Sequence, residues 1–161
     1  MESKLAAILD AVPLNPPWTT REFLQWLGEY KNAEVILSPW RKPVDDIAAG
    51  ACGTLAITKD SKILIFYDAR RSLRHQRQQI FHECGHVLCD HVGDENYRID
   101  ASELTHGLDP ASIRAVMHRG AFDSGSERDA ELLGTMLAMR SCGDALDESG
   151  RFHRVASVFR S

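Results

Sequence analysis

The residues best suited to do chemistry in this sequence are two histidines and a glutamate in one short stretch. His82-Glu83-Cys84-Gly85-His86 has the pattern H-E-x-x-H. On a helix, residues four apart lie on one face, so both imidazoles can reach the same metal ion. Glu83 then lies beside the first ligand, where its carboxylate can take a proton from a water that zinc activates. The pattern predicts zinc-dependent hydrolysis, with Glu83 as the general base.

A catalytic zinc site usually has three protein ligands, and the sequence offers several candidates for the third. His91 would lie on the far face of a continuous helix from His82, which favours a surface or supporting role. Val92 stands where the longer H-E-x-x-H-x-x-G-x-x-H pattern needs a histidine, which excludes that class. Cys52 is a weaker upstream candidate. Glu127 is better placed, and its spacing alone allows either a metal ligand or a carboxylate of a capping box at a helix start.

Two further carboxylates are candidates for orienting the ligand histidines. Glu131 lies one turn after Glu127 and can accept a hydrogen bond from the free ring nitrogen of a ligand histidine. Asp90 lies one turn beyond His86 and can do the same, although an exposed carboxylate is an equally good interpretation. Small residues on the face of Glu127 would let its helix pack closely against the H-E-x-x-H helix. These small residues are Ala130 and Gly134.

A hydrolase of this kind also needs a donor that stabilises the negative charge developing on the carbonyl oxygen. The sequence ranks none of the candidates, and each is better interpreted as structural. The candidates are Tyr97, His106, His118 and His153.

Apolar spacing and local stop signals predict the elements that must position these residues. Helices are expected over Ser3–Val12, from Thr19 (where Thr19-Thr20-Arg21-Glu22 is a capping box), over Ser72–His91, over Asp109–Gly120, and from Ser126. Strands are expected over Glu34–Ser38, Gly53–Thr58 and Lys62–Tyr67, the last two forming a hairpin. This order predicts an α+β fold with a small, mostly antiparallel sheet of about three strands packed on helices.

Composition narrows the class of protein further. A chain of 161 residues fits one domain, and 43% hydrophobic with 26% charged residues argues against wholesale disorder. The net charge of -4 argues against binding nucleic acid over the whole surface. The sequence has no apolar run long enough for a membrane helix and no secretory signal pattern, and its four cysteines form no C-x-x-C pair. We therefore expect reduced thiols and a cytoplasmic location.

The stretch 82–91 resembles the active helix of the ImmA/IrrE family of small bacterial and phage zinc metallopeptidases. A hairpin and an arginine-rich segment precede it in the order that this family uses. Downstream, Glu127-x-x-Ala130-Glu131-x-x-Gly134 resembles the family helix E-x-x-A-N-x-F-A, whose glutamate is the third zinc ligand. The resemblance thus implies one Zn²⁺ ion held by His82, His86 and Glu127. Glu131 departs from the family asparagine, which weakens the supporting role assigned to it.

The resemblance also implies an organisation and an activity. A single metallopeptidase domain would span 1–161, with N-terminal helices over 1–32, a catalytic core over 34–140 and an insertion over 94–123. The implied activity is endopeptidase cleavage of a protein, typically a separate helix-turn-helix repressor, without direct binding of nucleic acid or membrane. One alternative is a regulator-binding module with a structural or vestigial zinc site. Another is a zinc hydrolase that acts on a non-peptide amide.

Overall fold

The computed structural model describes residues 2–39, 53–91, 113–118 and 122–141. Within these ranges the chain forms four helices and four strands, which confirms the predicted α+β class. Their order is α1 (Glu2–Asp10), α2 (Thr20–Lys31), β1 (Glu34–Pro39), β2 (Thr54–Thr58), β3 (Lys62–Tyr67), α3 (Leu73–Leu88), β4 (Ile113–His118) and α4 (Ser124–Arg140). None of these four helices is both long enough and apolar enough to cross a membrane.

The four described strands form one mixed sheet in the order β1-β3-β2-β4. Strands β2 and β3 pair antiparallel with Thr54 opposite Phe66, which confirms the predicted hairpin. Strand β1 pairs parallel with β3, and β4 pairs antiparallel with β2. The sheet is therefore mostly antiparallel as expected, but it has a fourth strand that the sequence did not predict.

The helix predicted over Asp109–Gly120 is wrong in the part that the structure describes, because Ile113–His118 is strand β4. The aspartate, proline and glycine that were interpreted as helix boundaries also favour turns at the ends of strands. The alternation of Ile113, Ala115 and Met117 fits a period of two as well. Pairing with β2 satisfies the backbone groups that a helix would have satisfied locally. Part of the predicted 94–123 insertion thus completes the sheet.

Two helix starts follow the local sequence signals. At α2 the Thr19 hydroxyl accepts a hydrogen bond from the Glu22 N–H at 3.0 Å. The Glu22 carboxylate in turn accepts one from the Thr19 N–H at 2.7 Å, so the predicted capping box is present. At α3 the Ser72 hydroxyl accepts a hydrogen bond from the His75 N–H, as the predicted start requires. The end of α3 differs from the prediction, because the helix stops at Leu88 rather than near His91.

The core lies between the helices and one face of the sheet. Helix α3 buries Ile80, Phe81 and Cys84 completely. Phe81 packs edge to face against Phe23 of α2, with ring centroids 5.3 Å apart. The same core cluster contains fully buried side chains from α1, α2, β3 and α4: Leu5, Leu27, Ile65, Leu133 and Leu137. The helix that carries the H-E-x-x-H residues is thus anchored by apolar burial on its core side.

Candidate metal centre

Three of the residues predicted to bind metal come together where α3 meets the first turn of α4. The Nε2 atoms of His82 and His86 lie 3.2 Å apart. Glu127 reaches them from α4, with Oε2 3.4 Å from Nε2 of His82 and Oε1 3.7 Å from Nε2 of His86. One ligand atom from each residue lies within 4.8 Å of the other two. The structure therefore forms a triad that could hold a metal ion.

Two glycines make this meeting of helices possible. A Cβ atom at Gly85 would lie 2.7 Å from the carbonyl oxygen of Ala130, and one at Gly134 would lie 2.9 Å from the backbone nitrogen of His82. Real side chains essentially never approach backbone so closely, so both positions require glycine at this separation. The close approach predicted from the small residues Ala130 and Gly134 is thus present. It places Glu127 within reach of the imidazoles.

The start of α4 leaves the Glu127 side chain available to the triad. Asp123 caps this helix, and its Oδ1 accepts hydrogen bonds from the N–H groups of Gly125 and Ser126 at 2.8 and 2.9 Å. The alternative role for Glu127, closing a capping box with Ser124, is therefore wrong, because the cap lies one residue earlier. An aspartate can accept both hydrogen bonds through one short side chain.

The donor set fits a zinc ion. Each histidine directs Nδ1 away from the triad, His82 towards Glu131 Oε2 at 3.1 Å and His86 towards His91 Nδ1 at 3.1 Å. A neutral imidazole that holds its proton on Nδ1 presents a lone pair on Nε2, so two lone pairs and a carboxylate converge. Tetrahedral zinc about 2.0–2.1 Å from each nitrogen holds its ligand atoms about 3.3 Å apart, close to the spacing of the triad.

Burial keeps His86 in the form that binds metal. Loss of solvent, and then the neighbouring His82 and His91, lower the pKa of His86 to about 3. The ring of Phe122 stacks on the imidazole, with centroids 3.7 Å apart and planes 14° apart. Since metals bind the neutral imidazole, His86 needs to lose no proton at neutral pH before it coordinates.

Glu83 lies next to the triad in a closed environment. Its side chain is only 3% exposed, and its Oε2 atom has no hydrogen-bond partner within the described residues. Burial, and then the negative charge of Glu127, raise the pKa of its carboxyl group well above the usual range. Gly53 lies so close that a Cβ atom there would come within 2.7 Å of Glu83 Oε1. This carboxyl group is confined and disposed to accept a proton.

The predicted supporting carboxylates have different outcomes. Glu131 contacts His82 Nδ1, as expected from its place one turn after Glu127. Asp90 does not serve His86 in this way; it forms an ion pair with Lys31 at 2.7 Å, and its side chain is 83% exposed. Since Asp90 has a left-handed backbone (φ 54°), the chain turns there and brings the next residue, His91, back to His86. Of the two interpretations offered for Asp90, the structure supports the exposed carboxylate, because α3 ends at Leu88, before this residue.

Sequence reasoning missed two residues around the site. Phe122 and Gly53 were not recognised as neighbours of His86 and Glu83, because they lie 30 or more positions away in the sequence and carry no motif. Several other candidates fall outside the described residues: Cys52, Tyr97, His106 and His153. His118 lies in β4.

Comparison with known protein families now adds an independent finding. Residues 53–112 match the model of the IrrE N-terminal-like domain, Peptidase_M78. This match confirms the predicted ImmA/IrrE family resemblance. The Peptidase_M78 segment contains His82, Glu83 and His86 and ends before Glu127, so it supports a metallopeptidase-like function without covering the third residue of the triad. No curated protein and no solved structure matches the chain significantly.

Proposed function

We propose that this chain is a zinc-dependent endopeptidase, in which His82, His86 and Glu127 hold one zinc ion and Glu83 is the general base. The observation that carries this proposal is the convergence of two imidazole Nε2 atoms and the Glu127 carboxylate beside the buried Glu83. The Peptidase_M78 match over residues 53–112 supports the same class of activity.

The residues of the chain divide the work of peptide hydrolysis. When bound to the triad, zinc supplies Lewis-acid chemistry, polarising a carbonyl group and acidifying water. Glu83 takes up the proton that the water loses when it attacks the carbonyl carbon, and then delivers this proton to the departing amine nitrogen. Its raised pKa suits the first transfer, because a higher pKa makes the carboxylate a stronger base towards the proton of the water.

The surroundings of Glu83 explain why this carboxyl group can serve as the shuttle. Gly53 and the core exclude water from most of the side chain, and nothing in the described residues holds Oε2 by a hydrogen bond. Oε2 is therefore available for a proton. Meanwhile Glu131 and His91 restrain the two imidazole rings through their Nδ1 atoms, which keeps the Nε2 atoms directed at the triad.

The proposed substrate is a protein, and specifically a separate helix-turn-helix repressor. The family resemblance supports this choice rather than any described contact. We also propose that the chain itself does not bind nucleic acid, since its net charge of -4 provides little attraction for phosphate.

The decisive experiment compares wild-type protein with Glu83→Gln, Glu127→Gln and, as a control, Glu29→Gln on the exposed surface of α2. Zinc content is measured on each purified protein, and cleavage is assayed on the helix-turn-helix repressor encoded nearest to its gene. We expect Glu83→Gln to keep its zinc and to lose about 10²–10⁴-fold in cleavage rate, the usual contribution of a general base. Glu127→Gln should lose zinc, and the control should change neither property.

Two results would contradict the proposal. If the wild-type protein purifies without zinc and does not bind added zinc, the proposed zinc site is refuted. If Glu83→Gln cleaves the repressor at the wild-type rate, the role of Glu83 as general base is refuted. Wild-type protein that holds zinc and binds a repressor without cleaving it would instead favour the regulator-binding module.

A further inference from the structure

The two histidines of the triad have chemically different supports. His82 is paired at Nδ1 with a carboxylate that is more than half exposed, whereas His86 is paired at Nδ1 with another imidazole in a partly buried environment. We infer that His91 is a positioning residue that fixes the tautomer and the orientation of His86 and thereby sets the affinity for zinc. This inference rests on the proposed function, because it assigns a role within the same metal centre.

The geometry of the His86–His91 pair determines which ring donates the hydrogen bond and which accepts it. The Nδ1 atoms of His86 and His91 are 3.1 Å apart, so one ring must supply a proton and the other a lone pair. His86 directs Nε2 at His82 and Glu127, which requires its proton to be on Nδ1 when it coordinates a metal. His91 therefore accepts at Nδ1 and holds its own proton on Nε2.

The backbone brings His91 to this place by a helix-ending motif. The His91 N–H donates to the carbonyl oxygen of His86 at 3.1 Å, and the Asp90 N–H donates to that of Val87 at 3.3 Å. Together with the left-handed Asp90, these two bonds form a Schellman motif, in which the residue after the left-handed one is placed over the last turn of the helix. His91 is thus tied to His86 by its backbone as well as by its side chain.

A second contact restrains the same imidazole from another direction. Phe122 stacks on the face of the His86 ring, while His91 meets the ring at its Nδ1 edge with the two ring planes 68° apart. The stacking allows the His86 ring to flip about its last side-chain torsion and still remain flat against Phe122. The two flipped states differ in the contacts of Nε2 within the triad and in the hydrogen bond from Nδ1 to His91. Of these, only the bond to His91 comes from a residue outside the triad, which is why we assign the orientation to His91.

The test compares two substitutions of the same residue. His91→Asn retains an acceptor, because the asparagine Oδ1 atom occupies nearly the same position along the side chain as Nδ1 of histidine. His91→Leu removes the acceptor and puts an apolar side chain in place of the imidazole. The exposed His75, on the same helix α3, provides the control His75→Leu. Zinc affinity is measured by competition with a chelator of known affinity, and the absorption spectrum of the Co²⁺-loaded proteins reports the ligand geometry.

We expect His91→Leu to weaken zinc binding by about 10–100-fold, the usual effect of removing a partner behind a ligand histidine. His91→Asn should recover most of that affinity and the wild-type Co²⁺ spectrum, and His75→Leu should match the wild type. Equal affinity of His91→Leu and wild type, or equal losses in the leucine and asparagine variants, would overturn the inference.

A folding defect in His91→Leu would not leave the question open. In that case His91→Gln is compared with His91→Asn, since the glutamine carbonyl lies one methylene further out and would miss His86 Nδ1. Weaker binding by glutamine than by asparagine supports the role of His91, and the reverse order contradicts it. Failure of the wild-type protein to bind zinc would refute the proposed function itself, which makes the two failures distinguishable.

Discussion

Helix α3 is held in place by two contacts of opposite construction. Towards α2 it uses bulk: Phe81 packs on Phe23, whose ring also lies within 5.9 Å of Trp18 and 5.5 Å of Trp26. Towards α4 it uses the absence of side chains, at Gly85 and at Gly134. The first contact buries large apolar surfaces, and the second fixes the distance between two backbones.

The difference indicates how the fold separates stability from chemistry. Aromatic side chains contribute most of the energy of a core, and neighbouring groups can adjust when one of them is altered. Glycine contacts contribute little burial, but ligands from two helices reach one metal ion only at a particular separation of the helices. We therefore expect substitutions in the aromatic contact to change stability, and substitutions in the glycine contact to change metal binding.

The largest expected effect tests the aromatic contact. Phe23→Ala removes a side chain that is fully buried, and we expect a loss of about 3–5 kcal/mol in the free energy of unfolding. Zinc bound per folded molecule should stay unchanged, because Phe23 packs on the core side of α3 against Phe81. Urea denaturation and metal analysis measure the two quantities. Loss of zinc from protein that remains folded would contradict the separation described above.

The next effect concerns the residues on the side of α3 that faces the triad. In the metal-free protein, we expect them to make the free energy of unfolding depend on pH. The folded state lowers the pKa of His86 from 6.5 to about 3, so folding disfavours its protonation. The stability that His86 contributes is therefore present above pH 6.5 and is lost as the pH falls towards 3. Glu83 acts in the opposite sense, because its raised pKa adds stability at low pH that is lost as the pH rises.

Substitutions can separate the contributions of His86 and Glu83 to the pH dependence of the unfolding free energy. In EDTA, Glu83→Gln should lose on the order of 1 kcal/mol of unfolding free energy per pH unit between pH 6 and pH 4, more steeply than the wild type. Adding His86→Gln should flatten that slope, whereas adding the exposed control His75→Gln should not. Urea denaturation at several pH values gives these slopes. If the pH dependence is unchanged after His86→Gln is added, it does not come from His86, and the prediction is wrong.

A smaller effect tests the glycine contact. Alanine is favoured over glycine in a helix by about 1 kcal/mol, yet a Cβ atom at Gly134 would lie 2.9 Å from the backbone of His82. These terms oppose each other, so Gly134→Ala should change stability by only about 1 kcal/mol. Its zinc affinity should fall about tenfold or more, because the two helices must separate.

Gly28→Ala provides the matched control for this prediction. A Cβ atom there would lie 2.8 Å from the carbonyl oxygen of Ala33, an equally tight contact at the end of α2. We expect it to reduce stability and to leave zinc affinity unchanged in a chelator competition. If both alanine variants weakened zinc binding equally, the special role of the glycine contact with α4 would be refuted.

The smallest effect concerns Asp90. Asp90→Asn keeps a residue that tolerates the left-handed backbone and removes only the ion pair with Lys31. An ion pair with one exposed partner contributes about 0–1 kcal/mol, so the free energy of unfolding should fall by no more than that. Zinc affinity should stay at the wild-type value, in contrast to His91→Leu. A tenfold loss would restore Asp90 to the supporting role that the sequence suggested.

Features that depend on a single turn of chain could be predicted from the sequence. The H-E-x-x-H residues lie on one helix, the capping box at Thr19 and Glu22 is present, and the hairpin of β2 and β3 forms as expected. Glu131 contacts His82 because it lies one turn from Glu127. Such features depend on backbone hydrogen bonds and helical spacing, which neighbouring residues determine.

The tertiary structure decided what depends on residues far apart in the sequence. It made 113–118 a strand because the edge of β2 was available to pair with it. Because α3 ends early, His91 and not Asp90 contacts Nδ1 of His86. The fold also places Phe122 and Gly53 against the site. These outcomes depend on packing between distant segments, whose energies exceed the small local preferences that a sequence pattern expresses.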